Sequence, residues 1–376
     1  MLKSAFVALL SAGLVAATVS GASLNNFAQV NLTSDLPGVA AHQDTNLVNP
    51  WGIVAPPRGP FWINDNGTGL STIYNGSGNA LSLVVTVPPP NGSAGPSAPT
   101  GIVFNGTSGF GGSHFIFDTE DGTVSSWVSG AKATLQATAA SGSVYKGLAI
   151  ANNGSANFLY AANFGLGRID VYDSSFHATT LAGGFSDPNI PSGFAPFDVK
   201  NINGSLYVTY AKQDPAKHDD VAGPGNGFVD IFDLNGNFVK RLVSRGALNS
   251  PWGLAVAPSV FGSFGGDLLV GNFGDGRINA YNLTTGSFAG TLDGTSGTPV
   301  TIQGLWGLSF GNGAFGQNAD SLYFTAGIPG SNNVEDHGLF GSLSASTAAP
   351  EPATGWMFVA IVISAVYFSR RRRTEG

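Results

Sequence analysis

Pro50-Trp51-Gly52-Ile53, Pro251-Trp252-Gly253-Leu254 and Leu305-Trp306-Gly307-Leu308 are three readings of one phrase, and its spacing decides the fold. Weaker copies read Pro99-Thr100-Gly101-Ile102, Tyr145-Lys146-Gly147-Leu148 and Pro196-Phe197-Asp198-Val199. The third residue of each falls at 52, 101, 147, 198, 253 and 307, in steps of 49, 46, 51, 55 and 54 residues. Six copies at a period near fifty mark one supersecondary unit repeated through the body.

The unit has a common interior. In the fifth, residues 252–257, 267–272, 277–282 and 287–292 are short apolar runs separated by Gly, Asn and Asp, which is strand-and-turn chemistry. The third repeats it with Phe158-Leu159-Tyr160-Ala161-Ala162-Asn163 and Arg168-Ile169-Asp170-Val171-Tyr172-Asp173. No long 3.6-residue pattern supports a helical solenoid, and parallel β-helices have shorter repeats. Four strands per unit, repeated radially, predict an all-β six-bladed propeller with four antiparallel strands per blade. Gly271-Asn272-Phe273-Gly274-Asp275-Gly276-Arg277-Ile278 resembles the hairpin between strands two and three of NHL-type propeller repeats.

The sixth unit offers residues 306–310, 321–326 and 338–343, then runs into an Ala/Ser/Thr-rich linker without a fourth strand. A spare strand, Phe27-Ala28-Gln29-Val30-Asn31-Leu32, precedes the first unit. Pairing the two removes two exposed edges, so the last blade is expected to close through the N-terminal strand. The repeated Trp-Gly is expected to pack, with the indole wedged between neighbouring sheets and the glycine letting inner strands converge.

Both ends read as address labels. Lys3, an apolar run over residues 5–19 and Ser20-Gly21-Ala22 have the order of a secretory signal peptide, residues 1–22. The propeller is assigned to 23–345 and a linker with Pro350-Glu351-Pro352 to 346–353. Residues 354–369 are expected to form an apolar helix of about 24 Å at roughly 1.5 Å per residue, near the short limit for spanning a bilayer. Arg370, Arg371, Arg372 and Arg373, within the tail 370–376, favour a cytoplasmic end. Motif, helix and basic cluster together resemble the PEP-CTERM sorting signal. That resemblance implies an exosortase as processing partner, an inner-membrane-anchored precursor, and release or transfer to the cell surface or matrix.

Composition narrows the function classes. The chain has no cysteine, 54 glycines and 26 phenylalanines, so an exported body must hold itself by burial without disulfides. Net charge is −7 over the whole chain. The body is more acidic still once Lys3 and the arginine tail are set aside, which argues against nucleic acid or anionic lipid as partners.

Loops joining strand two to three, and strand four to the next unit, share one end of such a ring. They carry Asn64, Asp65, Asn66, Glu120, Asp121, Asn163, Asn272 and Asp275. Residues 212–226 form a long insertion in the fourth unit, containing Asp214, His218, Asp219 and Asp220. A second insertion, 328–337, ends in Glu335-Asp336-His337. Long loops in a compact domain are commonly functional. Asp214, Asp219 and Asp220 with backbone carbonyls can hold Ca²⁺; His218 or His337 beside carboxylates can ligate a transition metal or act as a general base. Against these stands the plain role of Asx residues as turn caps, which suits Asn64, Asp65, Asn66, Asp121 and Asp275 best.

The body resembles a family of exported bacterial propellers that often carry this sorting tail. Asn49-Pro50-Trp51-Gly52, Ala211-Lys212-Gln213-Asp214, Lys217-His218-Asp219-Asp220 and Asn249-Ser250-Pro251-Trp252-Gly253-Leu254 carry the likeness. It implies fold and address, not a reaction. The expectation is a binding or scaffold module that engages a surface glycan or protein through the loop-rich face. The alternative is a metal-dependent hydrolase or lactonase with its site at the mouth of the central channel.

Overall fold

The computed structural model describes residues 25–331 and 335–346. Both address segments lie outside the described residues, the apolar 354–369 stretch among them. No helix among the described residues is long and apolar enough to cross a membrane. Residues Asn25–Ser346 form one compact unit.

Six antiparallel sheets follow one another along the chain. The first blade is Pro50–Val54, Phe61–Asp65, Leu70–Tyr74 and Val85–Thr86, and the second begins at Pro99–Phe104. The third, fourth and fifth begin at Tyr145–Asn152, Phe194–Ile202 and Pro251–Val256. Each blade's first strand contacts the first strand of the next, and Leu305–Phe310 of the sixth returns to Pro50–Val54. The ring is therefore closed, with first strands innermost.

The last blade is completed as the sequence suggests. Phe27–Ser34 pairs antiparallel with Leu339–Ala345, from Phe27 opposite Ala345 to Ser34 opposite Leu339. Phe27 N also donates to Asp293 O of the fifth blade at 2.8 Å. A two-residue strand, His42–Gln43, adds parallel to the outer edge. The clasp thus joins the first strand of the described residues to their last by a continuous ladder with one bulge.

The core is divided among the gaps between blades. Leu32, Ile53, Phe61, Tyr323 and Phe340 fill the gap between blades six and one; Trp62, Ile102, Phe115 and Phe117 fill the next. Strands squeezed between two neighbours are buried on both faces, which is why Phe61–Asp65 is buried throughout instead of alternating.

The Trp-Gly phrase works differently from expectation in one respect. Trp51, Trp252 and Trp306 do not wedge between sheets; they meet on the axis with Phe164, Phe197 and Phe273. Trp51 and Trp306 stack at 3.4 Å between ring centroids, and Trp252 meets each edge-on. The cause is a bulge. Pairing with the second strand shifts between Pro50 and Ile53, Pro251 and Leu254, and Leu305 and Leu308. A bulge breaks the alternation of side chains, so the indole faces the axis and the next aliphatic residue takes the gap. The glycines do let inner strands converge. A Cβ on Gly307 would come 2.6 Å from Trp51 O, and one on Gly52 or Gly253 would collide with the carbonyl of Thr100 or Trp306.

Candidate functional site

The bulged layer supplies the floor of the site. Blades one, five and six send indoles to the axis and blade four sends Phe197, but blade three sends Lys146. Its side chain is only 2% exposed. The ammonium lies over the Trp51 ring, 5.0 Å from its centroid, where the negative π face attracts it. Trp252 Nε1 donates to Lys146 O at 2.9 Å, which ties the lysine's backbone to the indole cluster.

Carboxylates from three blades gather above it. Glu120, from the turn between strands two and three of the second blade, makes a direct ion pair with Lys146. Asn66 Nδ2 holds the other oxygen of Glu120 at 2.8 Å. Asp219 of the first insertion brings Oδ1 to 3.7 Å from Lys146 Nζ. Glu335 of the second insertion is pushed up to about 7, chiefly by burial and further by Glu120 and Asp220, while Asn49 and Lys146 oppose the rise. Burial likewise raises Asp220, against the pull of Ser250 and Lys146. The rim backbone is constrained: Asn49 and Ser250, each preceding a Pro-Trp-Gly, have φ of 47° and 46°. Non-glycine residues held there often mark functional sites.

The insertion over residues 212–226 is a hairpin, with Val221 N donating to Lys212 O at 2.7 Å and Asp214 N to Asp219 O at 2.8 Å. Asp214 caps its tip: Oδ1 accepts His218 N at 2.9 Å, and these backbone donors hold its carboxyl below the usual range. His218 Nδ1 lies 2.9 Å from Asp219 Oδ1. Glu120, His218 and Asp219 each place one ligand atom within 4.8 Å of the others. A metal here would draw on those three instead of Asp214 with Asp219 and Asp220. His218 and Asp219 are 48% and 71% exposed, so the outer side of the cluster is open to solvent.

Other anticipated residues lie off this cluster. His337 Nδ1 meets Asp35 Oδ2 at 2.6 Å, and Asp336 packs over Gly330. Asn64 donates to Gly101 O at 2.9 Å. Asp65 accepts from Thr72 Oγ1 at 2.7 Å, and burial raises its pKa. Asn163 is spent on Ser143 and Asp170, and Asn272 on Ala247 O and Asp275. These four grip turns and neighbouring strands. Lys146, which sequence reasoning passed over, stands in the tryptophan column of the repeat, where a charge is out of place.

Below the indoles the axis is open. A cavity of about 380 Å³ is lined by the second halves of inner strands from all six blades. Asp198 stands in the glycine column, and its Oδ1 occupies the space over Gly147. Lys200, two residues on, lines the same cavity.

No family model matches the chain. Uncharacterized protein L690 of Acanthamoeba polyphaga mimivirus is 36% identical over 331 residues, covering 83% of this chain and 84% of that protein. Uncharacterized protein R648 of the same virus is 37% identical over 332 residues, covering 83% and 78%. A Bacteroides thetaiotaomicron protein of unknown function shares the fold at a TM-score of 0.52 and 12% identity, over 85% of this chain and 76% of that one.

Proposed function

The chain belongs to one family with the mimivirus proteins L690 and R648, and from that premise we propose that it is a binding module which engages its ligand on the loop-rich face. The observation that carries this reading is the pairing of Glu120 and Asp219, from two blades, with the buried ammonium of Lys146, whose charge also acts through space on Glu335 of a third. Beneath them the stacked indoles close the axis, so a ligand is met on the rim and not drawn into a catalytic shaft. The excess of carboxylates suits a hydroxyl-rich glycan or a basic protein surface, and disfavours an anion. In this proposal the N-terminal segment exports the chain, as in the exported bacterial propellers it resembles. The Pro350-Glu351-Pro352 tail hands it to an exosortase for display at the surface.

The test compares the full chain with Glu120→Gln/Asp219→Ala on immobilised neutral polysaccharides and on a basic peptide surface. Retention of one of these should fall at least tenfold in the double variant and persist in Asp320→Asn, a change on the opposite face. Equal retention by both variants, or none by the wild type, removes the reading. One observation favours a metal-dependent site instead, namely the clustering of Glu120, His218 and Asp219. That second reading requires metal to co-purify and EDTA to lower the melting temperature of the wild type but not of Asp219→Ala.

A further inference from the structure

The third blade stops short of its own outer edge. In blades one, two and four the fourth strand runs on until its amide reaches the glycine that opens strand three: Val87 N donates to Gly69 O at 2.9 Å, Ala139 N to Gly122 O at 2.8 Å and Arg245 N to Gly227 O at 2.9 Å. In blades five and six the matching carbonyls of Gly276 and Gly338 accept from Ile302 N and Ser34 Oγ. Blade three has only Ala178–Thr179 as its fourth strand, and the ladder on Arg168–Asp173 ends at Val171 opposite Thr179. No such bond reaches Gly167 O among the described residues. The chain is drawn off instead, with Gly183 N and Phe185 N donating to Asn235 O and Gly236 O at a turn of blade four. Arg168, Ile169 and Asp170 are left as an uncovered sheet edge.

A groove of about 960 Å³ occupies the place of the absent strand. It touches Ile169, which packs toward blade four, and Tyr172, which packs toward blade two, and so wraps the edge from both faces. Ala137 and Ala139 of blade two line it half-buried, and Ala178 and Thr180, where the fourth strand breaks off, are exposed. These accessible side chains are small and uncharged. The ionic groups cancel in place: Arg168 Nε lies 2.6 Å from Asp170 Oδ1, and His177 Nδ1 lies 3.6 Å from Asp173 Oδ2. Edges that stay unpaired are ordinarily guarded by free charges or bulges. Here Arg168 is spent on Asp170, and pairing with the second strand runs unbroken from Phe158 to Asn163.

We infer that this edge is a docking site, independent of the loop-rich face, for an extended, uncharged peptide segment of a partner protein that adds as the missing length of strand four. One of its backbone amides donates to Gly167 O, as the chain's own amides do to the matching glycines of blades one, two and four. Main-chain bonds of this kind give affinity, and the pockets between them select side chains. Small walls admit small side chains, and a charged one finds no free counter-ion in the groove.

The probe is a dye-labelled peptide copying the chain's own uncharged fourth strand of blade two, residues 134–140 (Thr-Leu-Gln-Ala-Thr-Ala-Ala). In its native place the amide of Ala139 makes the equivalent bond. Fluorescence anisotropy with the full chain, held in nanodiscs so that no detergent competes, should show saturable binding at one site. N-methylation of the alanine that matches Ala139 removes the donor and should weaken binding at least tenfold. Ala178→Trp and Thr180→Trp fill the groove and should lose the same tenfold, whereas Asp219→Ala on the loop-rich face should lose nothing. Absence of saturable binding overturns the inference, as does equal binding of the N-methylated peptide, or undiminished binding by either folded tryptophan variant. Since the readout does not involve the Lys146 cluster, its failure leaves the loop-rich site untouched.

Discussion

Replacing Lys146 with methionine keeps the length and apolar stem of the side chain and removes only the ammonium. That ammonium is 98% withdrawn from solvent with a Glu120 partner itself only 13% exposed. Breaking a buried pair by removing one member leaves the other charge uncompensated, at a cost of about 3–5 kcal/mol. Here the burden also falls on Glu335 and Asp220, both of which Lys146 steadies in the charged form. The loss should therefore depend on pH, and the sign follows from linkage. Glu335 is already raised to about 7 in the folded protein from 4.5, and loss of the cation raises it further. A carboxyl with a raised folded value binds more protons folded than unfolded, so stability declines as pH climbs from about 4.5 through the folded value. In Lys146→Met that decline is steeper and extends to higher pH. Guanidinium unfolding followed by fluorescence should show the full deficit at pH 8 and a deficit at least about 1 kcal/mol smaller at pH 5.5, about the worth of one pKa unit. A variant within 1 kcal/mol of wild type at pH 8, or a deficit equal at both pH values, would refute the reading of Lys146 as the shared counter-ion.

Two further outcomes test the ring. Gly52→Ala drives a methyl into Thr100 O of the next blade, whereas at Gly294 the nearest atom would lie at 3.7 Å. The first should lose about 1–3 kcal/mol by overpacking, and the second should gain or hold a few tenths by restricting the unfolded chain; reversed signs in chemical denaturation would defeat the account of glycine as a convergence device. Deleting residues 23–34 removes the clasp strand and the fully buried Phe27. It should leave a body that aggregates or melts without cooperativity, and a soluble truncation with a single sharp transition would show that closure is dispensable.

The ring was legible because its period is enforced by geometry at every blade. The inner strands approach so closely that only glycine fits at 52, 101, 147, 253 and 307, and that column survives in a sequence whose other positions drift. The clasp was legible from a deficit, one blade short of a strand and one strand without a blade. The orientation of the indoles was not, since the bulge that turns them is a property of pairing with the second strand and leaves no mark of its own in the first. The candidate site was half legible. Its insertions announced themselves by length, but Asp214 and His337 carry the same residue types as true cluster members and differ only in where the turn points them. Glu335 and His337 stand two residues apart and end in different neighbourhoods, one against Asn49 and the other against Asp35.

The two residues that distinguish this propeller from a plain scaffold are both violations of its own repeat. Lys146 stands where three other blades have tryptophan, and Asp198 stands where five have glycine. Each violation is costly by the rules that build the ring. An ammonium in the aromatic layer must be desolvated, and a carboxyl in the convergence column must find room, which Gly147 of the preceding blade supplies. A structural repeat has no need of either, since the other blades close without them. Their placement is also not symmetric: Lys146 lies on the loop-rich side of the indoles, and Asp198 with Lys200 on the other. The aromatic layer thus separates two charged mouths along one axis.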